Sequence, residues 1–396
     1  MIKGYLHKIL DKVNILSNKK ACYKNFQPFD LQYVASSNYT TEATVSAYFQ
    51  NVIVYRCVNL IANSASHVPW YIKKKKQLTY ERLLHHPILD LLQRPNYSVS
   101  GADFFSELII NKLLTGNAFI LATGIKDMLP KELYLLNIND VEVQEQAGQV
   151  IGYCYPSNSN NFYRISNTHD KCPILHMKNY NPLSKKHGMS CLDAASMPIT
   201  LYNQVVQWNY ALLKNGARPS GALILKDSNS YLSEEQFERL RDQLLQKYTS
   251  SSNSGAPLLL EGGLDWKEMS INPKDMDFME SKNSAAREIA LAFGVPPQLL
   301  GINGDNTYSN MQEARLALWE ETLIPLLDRI ADSLTMWFSK LFKENIIIDF
   351  DRDCISALTE KRENLWSKIS TANFMTINEK RRIISLPPID GGDKLI

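Results

Sequence analysis

Asp349, Asp351 and Asp353 stand at alternate positions in a 396-residue chain. Alternate residues of a strand face the same way, and three carboxylates on one face are the raw material of a cation site. They follow the apolar run 346–348, so a solvated strand end explains the same pattern, and that is the reading adopted. His85 and His86 are adjacent, which sends two rings in different directions on any regular element and makes a poor metal pair. Pro87 and the apolar stretch 88–92 follow them, so they read as a helix cap or a surface site. His176 falls in a strand-like run and His187 in the loop after it. Neither has nearby the paired acid, base or nucleophile that proton transfer or a triad requires. The cysteines at 22, 57, 154, 172, 191 and 354 include no Cys-x-x-Cys pair, which argues against a zinc site or a disulfide framework and for a reducing compartment. No phosphate-binding Gly-x-x-x-x-Gly-Lys-Ser/Thr, His-Glu-x-x-His, Gly-x-Ser-x-Gly or Gly-x-Gly-x-x-Gly motif occurs. An enzyme reading therefore has no motif to stand on, and neither cofactor nor metal is expected.

Composition narrows the classes further. The chain is 44% hydrophobic and 21% charged, with a net charge of +2, as in folded proteins with real cores. Its charge balance is far from that of a protein that grips nucleic acid over its whole surface. Residues 1–43 hold six lysines against three acids and read as a short amphipathic helix followed by a solvated arm. That N-terminus lacks the apolar core of a signal peptide, and no stretch is long and apolar enough for a transmembrane helix.

The elements that would position any site come next. One helix is predicted over 45–65, with Val45, Tyr48, Val52, Tyr55, Asn59, Ala62 and Ala65 on one face and Ile53, Cys57, Leu60 and Ile61 widening it. Lys73 to Lys76 read as a solvated turn between two strands. A helix over 102–115 ends at Gly116-Asn117. The period then changes to two, giving short strands at 118–122, 132–136, 141–144, 150–155 and 174–177. A helix over 190–215 follows. The next unit comprises a strand at 221–225, a helix opened by the capping box Ser233-Glu234-Glu235-Gln236, and strands at 257–261 and 264–269.

The longest pattern runs from about 275 to 342. A first helix carries Met276, Met279, Ala286, Ile289, Ala290 and Phe293, and stops at Gly294-Val295-Pro296-Pro297. A polar segment, Gly301 to Asn310, reads as an exposed pliable loop. A second helix starts at Ser309 or Asn310, with Gln312 and Glu313 placed for a capping box. Its stripe of Leu316, Trp319, Leu323, Leu326, Ile330, Leu334, Trp337 and Leu341 makes a rod of about 50 Å, kinked at Pro325. A chain that leaves along one helix, builds a module and returns along another makes a stalk with a cap.

This order resembles the portal proteins of tailed bacteriophages. Tyr55 to Ala62 with Val68-Pro69, Gly116-Asn117-Ala118, Ile174-Leu175-His176-Met177, Gly188 to Leu192 and Asn215 to Gly221 are similar to that family's signatures. So are Leu260 to Leu264, Ala292 to Gly301, Tyr308-Ser309-Asn310 with Glu313, Thr376 to Arg381 and Leu386 to Asp393. The resemblance spans about 45 to 393. It implies an α+β, portal-like fold: an N-terminal arm (1–44), an α+β wing (45–189), a first stem helix (190–216), a small α/β clip insert (217–273) and a second stem helix (274–300). A tunnel loop (301–310), a long kinked channel-side helix (311–342) and a C-terminal wing segment (343–396) complete it, with any crown absent or very small.

The same resemblance implies a homo-oligomeric ring, usually of twelve subunits, at one capsid vertex of a virion assembled in the host cytoplasm. Double-stranded DNA would pass through without sequence specificity. Terminase, the major capsid protein and a head-completion protein would be partners, with no membrane. Asp305, Asn306, Thr307, Tyr308, Ser309 and Asn310 would form the DNA-channel loop. Glu234, Glu235, Glu238, Arg239 and Arg241 would belong to the clip's docking face. Five acids face four bases between Lys226 and Lys247, a balance that favours protein contacts over phosphate grip. A non-viral ring-forming adaptor and an enzyme without a recognisable motif are the alternatives.

Overall fold

The structure, a computed structural model, describes residues 41–76, 79–124, 130–156, 161–165, 172–214, 221–225, 233–248, 264–268, 278–302, 308–384, 386 and 388–394. The arm before residue 41 and the strand expected at 257–261 lie outside them.

Helices α1 (Thr41–Gln50) and α2 (Val52–Ser66) replace the single helix expected over 45–65. Asn51 separates them. Its backbone is extended, and its side-chain oxygen accepts the N–H groups of Ile53 and Val54 at 3.0 and 3.1 Å, satisfying two donors that a helix start leaves open. The break also turns the face. Ile53, Val54, Cys57, Val58, Ile61, Ala62 and Ala65 are buried, whereas Val52 and Tyr55 are exposed.

Strand β1 (Trp70–Lys76) contains all four lysines, so they form no turn. It is the middle strand of a sheet in the order β11-β1-β2, antiparallel to β2 (Thr79–Leu83) and to β11 (Ile346–Phe350). Lys73 and Lys74 reach carboxylates of the C-terminal segment, Asp349 at 2.9 Å and Glu344 at 2.8 Å. Pairing on both edges holds the run extended despite its charge.

Helix α3 (Pro87–Gln93) is capped by His86, whose Nδ1 accepts the N–H of Ile88 at 3.2 Å. Helix α4 (Gly101–Thr115) is capped by Ser100 and ends at Gly116 in the left-handed region. Then come β3 (Asn117–Thr123), β4 (Glu132–Leu136), β5 (Glu142–Gln146), β6 (Gln149–Cys154), β7 (Phe162–Arg164) and β8 (Ile174–Lys178). They form two antiparallel sheets, β4-β3-β8 and β5-β6-β7. The periodicity reading missed β7, which has three residues and only a half-buried centre.

The helix expected over 190–215 is two: a turn, α5 (Cys191–Ala194), and α6 (Ser196–Lys214). Strands β9 (Gly221–Leu225) and β10 (Leu264–Glu268) pair antiparallel, with α7 (Glu234–Tyr248) between them in sequence. Helix α8 (Phe278–Ala292) is followed by α9 (Tyr308–Ala317), a π-helical segment over Leu318–Leu323, and α10 (Ile324–Phe342).

That π segment is how the rod meets Pro325. Proline has no N–H and its ring clashes with the carbonyl four residues back. Widening the turn moves that conflict: the N–H of Ile324 bonds to the carbonyl of Trp319, five residues back. The buried stripe records the extra residue. It runs Ala314, Leu318, then a step of five to Leu323, then Leu327, Ile330, Leu334, Trp337 and Leu341. Leu316, Trp319 and Leu326, expected in the stripe, are only half-buried.

The main core joins α2, α4, β1, α8, α10 and β11. On β11, Ile346, Ile348 and Phe350 are buried and alternate with half-buried Ile347 and Asp349. A satellite cluster of Phe119, Leu136, Val141, Val143, Tyr153 and Ile174 fills the space between the two N-terminal sheets. The chain closes with α11 (Thr359–Thr371) and α12 (Ile377–Ile383). Asn378 ties the last turn down, donating to the Ile389 carbonyl at 3.0 Å and to Asp393 at 2.9 Å.

Candidate functional site

Helix α8 ends in a turn that leads directly into the polar segment. Gly294 has φ +67, and Thr322 of the π segment donates to its carbonyl at 2.6 Å. A short 3-10 turn, Pro297–Leu300, ends at Gly301 with φ +73, and Ile302 is buried. Asp305, Asn306 and Thr307 lie outside the described residues. Tyr308 and Ser309 begin α9, one residue earlier than expected, which puts Ser309 and Gln312 within the helix. Asn310 is half-buried, and with Glu313, Ala314, Ala317, Pro296 and Gln298 it lines a polar recess of about 260 Å³. The two glycines and the buried Ile302 anchor one end of the segment, and α9 anchors the other.

Helices α6 and α8 pack along each other. Ile199, Tyr202, Ala285, Ala286 and Ile289 are buried in the same core. The Lys282 amine sits over the Tyr202 ring at 5.4 Å. Asn51 donates to the Asn203 side chain at 3.0 Å, fixing α6 to the start of α2. Elsewhere on α6, Met197, Leu201, Val206, Trp208 and Tyr210 are exposed. Leu212 and Leu213 are side chains outside the described residues.

Glu234, Glu235, Glu238, Arg239 and Arg241 all stand exposed on α7. The capping box is reciprocal: the Ser233 N–H donates to Gln236 at 3.0 Å and the Gln236 N–H to Ser233 at 3.3 Å. Arg241 lies 3.7 Å from both Glu238 and Asp242. The helix therefore presents a mixed-charge face.

Asp349, Asp351 and Asp353 do not converge. Asp349 takes Lys73 and Tyr71, Asp351 takes Arg82 at 3.2 Å, and Asp353 takes Arg362 at 3.2 Å. Only Asp349 is on the strand; Asp351 caps the 3-10 turn that follows. No cluster able to hold a metal ion occurs among the described residues.

Several short sequence signatures meet at one junction. The Asn117 side-chain oxygen accepts the Gly188 N–H at 2.7 Å and lies 3.0 Å from Nε2 of His176. The carbonyl of Gly116 accepts the N–H of Asn179 at 2.8 Å. Ser190 caps α5 and donates to the Leu113 and Leu114 carbonyls, at 3.2 and 2.7 Å, at the end of α4. His176 stacks on Phe119 at 4.2 Å, and burial pushes its pKa down to about 3. Its imidazole is therefore neutral. These residues lock the wall of strands to the entry of α6. Motif searching treats them separately because they lie up to about 75 residues apart.

The family model described as phage portal protein matches residues 52–384. The chain belongs to the phage portal protein family. A protein of Rickettsia felis is 60% identical over the full length of both chains. The portal protein of Escherichia phage T5 is 26% identical over 88% of this chain and 83% of its own. A chain in the neck of a native gene transfer agent particle, computed with C12 symmetry, is 38% identical with a TM-score of 0.66, covering 88% of this chain and 94% of that one. The mixed helix-and-sheet architecture is thus portal-like, and the role is that of a portal protein, from a structural family rather than a family of catalysts.

Proposed function

We propose that twelve copies of this chain close into a ring at one vertex of a capsid and form the conduit through which double-stranded DNA enters, is held and leaves. The likeness to the particle-neck chain computed with C12 symmetry carries this reading. The exposed apolar side chains of α6 support it, because a neighbouring subunit would bury Met197, Leu201 and Tyr210.

In this reading 45–189 and 343–396 are the wing against the major capsid protein. Helices α6 and α8 are the stem. The unit over 217–273 is the clip, where the terminase motor docks and a head-completion protein later replaces it. Residues 301–310 face the channel. A conduit must not bind its cargo tightly, because each phosphate neutralised adds a counterion-release term that brakes movement. Asp305 is the single charge between Gly301 and Asn310, and the neighbouring Asn306, Thr307, Tyr308 and Ser309 suit weak, sequence-independent contacts. The chain itself performs no catalysis; the work of translocation belongs to the motor.

Electron microscopy of the purified protein with light scattering tests the reading. Twelve copies of 45.1 kDa give a particle of about 541 kDa with a central hole. A particle of another shape, or one without a hole, would overturn it.

A further inference from the structure

Two stretches that stand apart in the sequence, 292–301 and 308–313, meet at one recess. Pro296 and Gln298, at the 3-10 turn, line one side of it; Asn310, Glu313, Ala314 and Ala317, on α9, line the other. Its volume of about 260 Å³ is below the roughly 300–1,000 Å³ of a site for a drug-sized molecule. The walls divide by chemistry. Gln298, Asn310 and Glu313 bring two side-chain amides and a carboxylate, whereas Pro296, Ala314 and Ala317 bring apolar side chains.

Glu313 is exposed, and its own helix offers it no cation. The positions three and four residues away, which share its face, are Ser309, Asn310, Leu316 and Ala317. Arg315 stands two positions on, which a helix turns away from it. The adjoining stretch 301–310 has Asp305 as its single charge, an acid and not a counter-charge.

We propose that this recess binds a primary alkylammonium group. An ammonium has three N–H donors and no acceptor, which matches one carboxylate and two amide oxygens. The alkyl stem behind it lies against Pro296, Ala314 and Ala317, in the way that a lysine buries its methylenes while its head stays among polar groups. Other occupants suit the walls less well. A calcium ion takes about six to eight oxygens, more than these side chains supply. A phosphate would meet a carboxylate and no cation on the lining.

Two sources carry this chemistry, a free aliphatic diamine and a lysine side chain. On the conduit reading, amines collect at the channel as counterions to a duplex with one negative charge per about 1.7 Å. Only that supply rests on the conduit reading; the recess does not.

The experiment is a ligand-observed NMR titration of the full chain at fixed ionic strength, with n-butylammonium chloride as the probe. Saturable binding is expected. Glu313→Gln should weaken it about fivefold, the upper end for an exposed ion pair. Ala317→Leu should abolish it by filling the recess, and Glu321→Gln, at an exposed acid of the π segment, should match the parent. The alcohol n-butanol has the same stem without the charge and should not bind, a control that needs no variant to fold. Equal binding of n-butanol, tighter binding of methylguanidinium, or parental binding by Glu313→Gln would overturn the proposal. Putrescine and N-acetyl-lysine amide then distinguish the sources, the tighter ligand identifying the one that the recess fits. All titrations use protein without DNA, so their failure leaves the ring reading standing, and absence of rings leaves the recess standing.

Discussion

The Lys73 amine meets the Asp349 carboxylate at 2.9 Å across 276 positions of sequence, with the Tyr71 hydroxyl donating to the same oxygen at 3.1 Å. The contact sits on the β1–β11 pair, where Tyr71 is in register with Asp349. Burial pushes the Asp349 carboxyl up, but the hydrogen bonds from Lys73 and the Phe350 N–H outweigh it, so its pKa lies below the usual value. Its stabilisation is present above the usual carboxylate pKa and is lost as pH falls through the lower folded value. With both groups a quarter to a third exposed, Asp349→Asn is expected to cost about 1 kcal/mol after solvent screening. Chemical denaturation at pH 7 measures it. Asp353→Asn, at a 75% exposed carboxylate, is the control and should change stability by under about 0.5 kcal/mol.

Gly188 admits no side chain. A Cβ there would stand 2.1 Å from the Gly116 carbonyl oxygen and 2.7 Å from the Asn179 nitrogen. Both obstacles are backbone, so Gly188→Ala is expected to cost about 3 kcal/mol or more, seen as a large drop in melting temperature and soluble yield. Gly301 is different: its φ is +73 but nothing lies within 4 Å of the added carbon. Gly301→Ala should therefore cost only about 1 kcal/mol. Equal losses at the two positions would contradict the close packing of the α4 end against the 188–190 turn.

His176 should make stability fall in mild acid. Its folded pKa is about 3 against an ordinary value of 6.5, through burial first and then the charges of Lys178, His187 and Lys112. The unfolded chain therefore takes up a proton that the folded chain refuses. The neutral ring's contribution is whole above about pH 6.5 and declines by up to about tenfold in the folding equilibrium per pH unit below it. His176→Gln should lower stability at pH 7, since it breaks the Phe119 stack, yet flatten the slope between pH 6.5 and 4. Thermal melts across that range are the measurement.

Removal of Asp305 to Tyr308 should leave ring assembly intact and impair DNA packaging or retention. The shortened chain still has its anchors at Gly301 and Ile302, and α9 continues from Ser309. Packaging at parental efficiency by intact rings would remove the loop from the channel.

Charge reversal at Glu234, Glu235 and Glu238 should weaken motor docking more than folding. All three side chains are exposed, although a cation near a helix N-terminus loses a few tenths of a kcal/mol. A pull-down with the motor, beside circular dichroism, separates the two effects. An unfolded variant with lost ellipticity would remove α7 from the docking face.

Much of this fold was legible because its signals are local. The α4 end at Gly116, the strands over 132–136 and 174–177, and the Ser233 capping box depend on residues within a few positions of one another. The family was legible because its short signatures occur in order, although what they do at the Asn117–Gly188 junction is visible only in three dimensions. The errors arise where a distant partner decides. Four consecutive lysines form a strand because β2 and β11 pair with both edges and carboxylates at 344 and 349 answer two of the charges. Val52 and Tyr55 follow a helical repeat, but Asn51 resets the helix and turns them outward. At Pro325 the sequence marks the irregularity, but the residue inserted into the turn ahead of it is seen only in the structure.

The pairing of β1 with β11 has a consequence for how the protein is made. Strand β1 emerges from the ribosome some 270 residues before β11. At ordinary synthesis rates of roughly 5–20 residues per second, it waits on the order of tens of seconds with one edge open. A chain cut short by a premature stop, anywhere before residue 346, never closes that sheet. Such a subunit keeps one edge of β1 unpaired, the kind of exposed strand edge that invites proteolysis or aggregation.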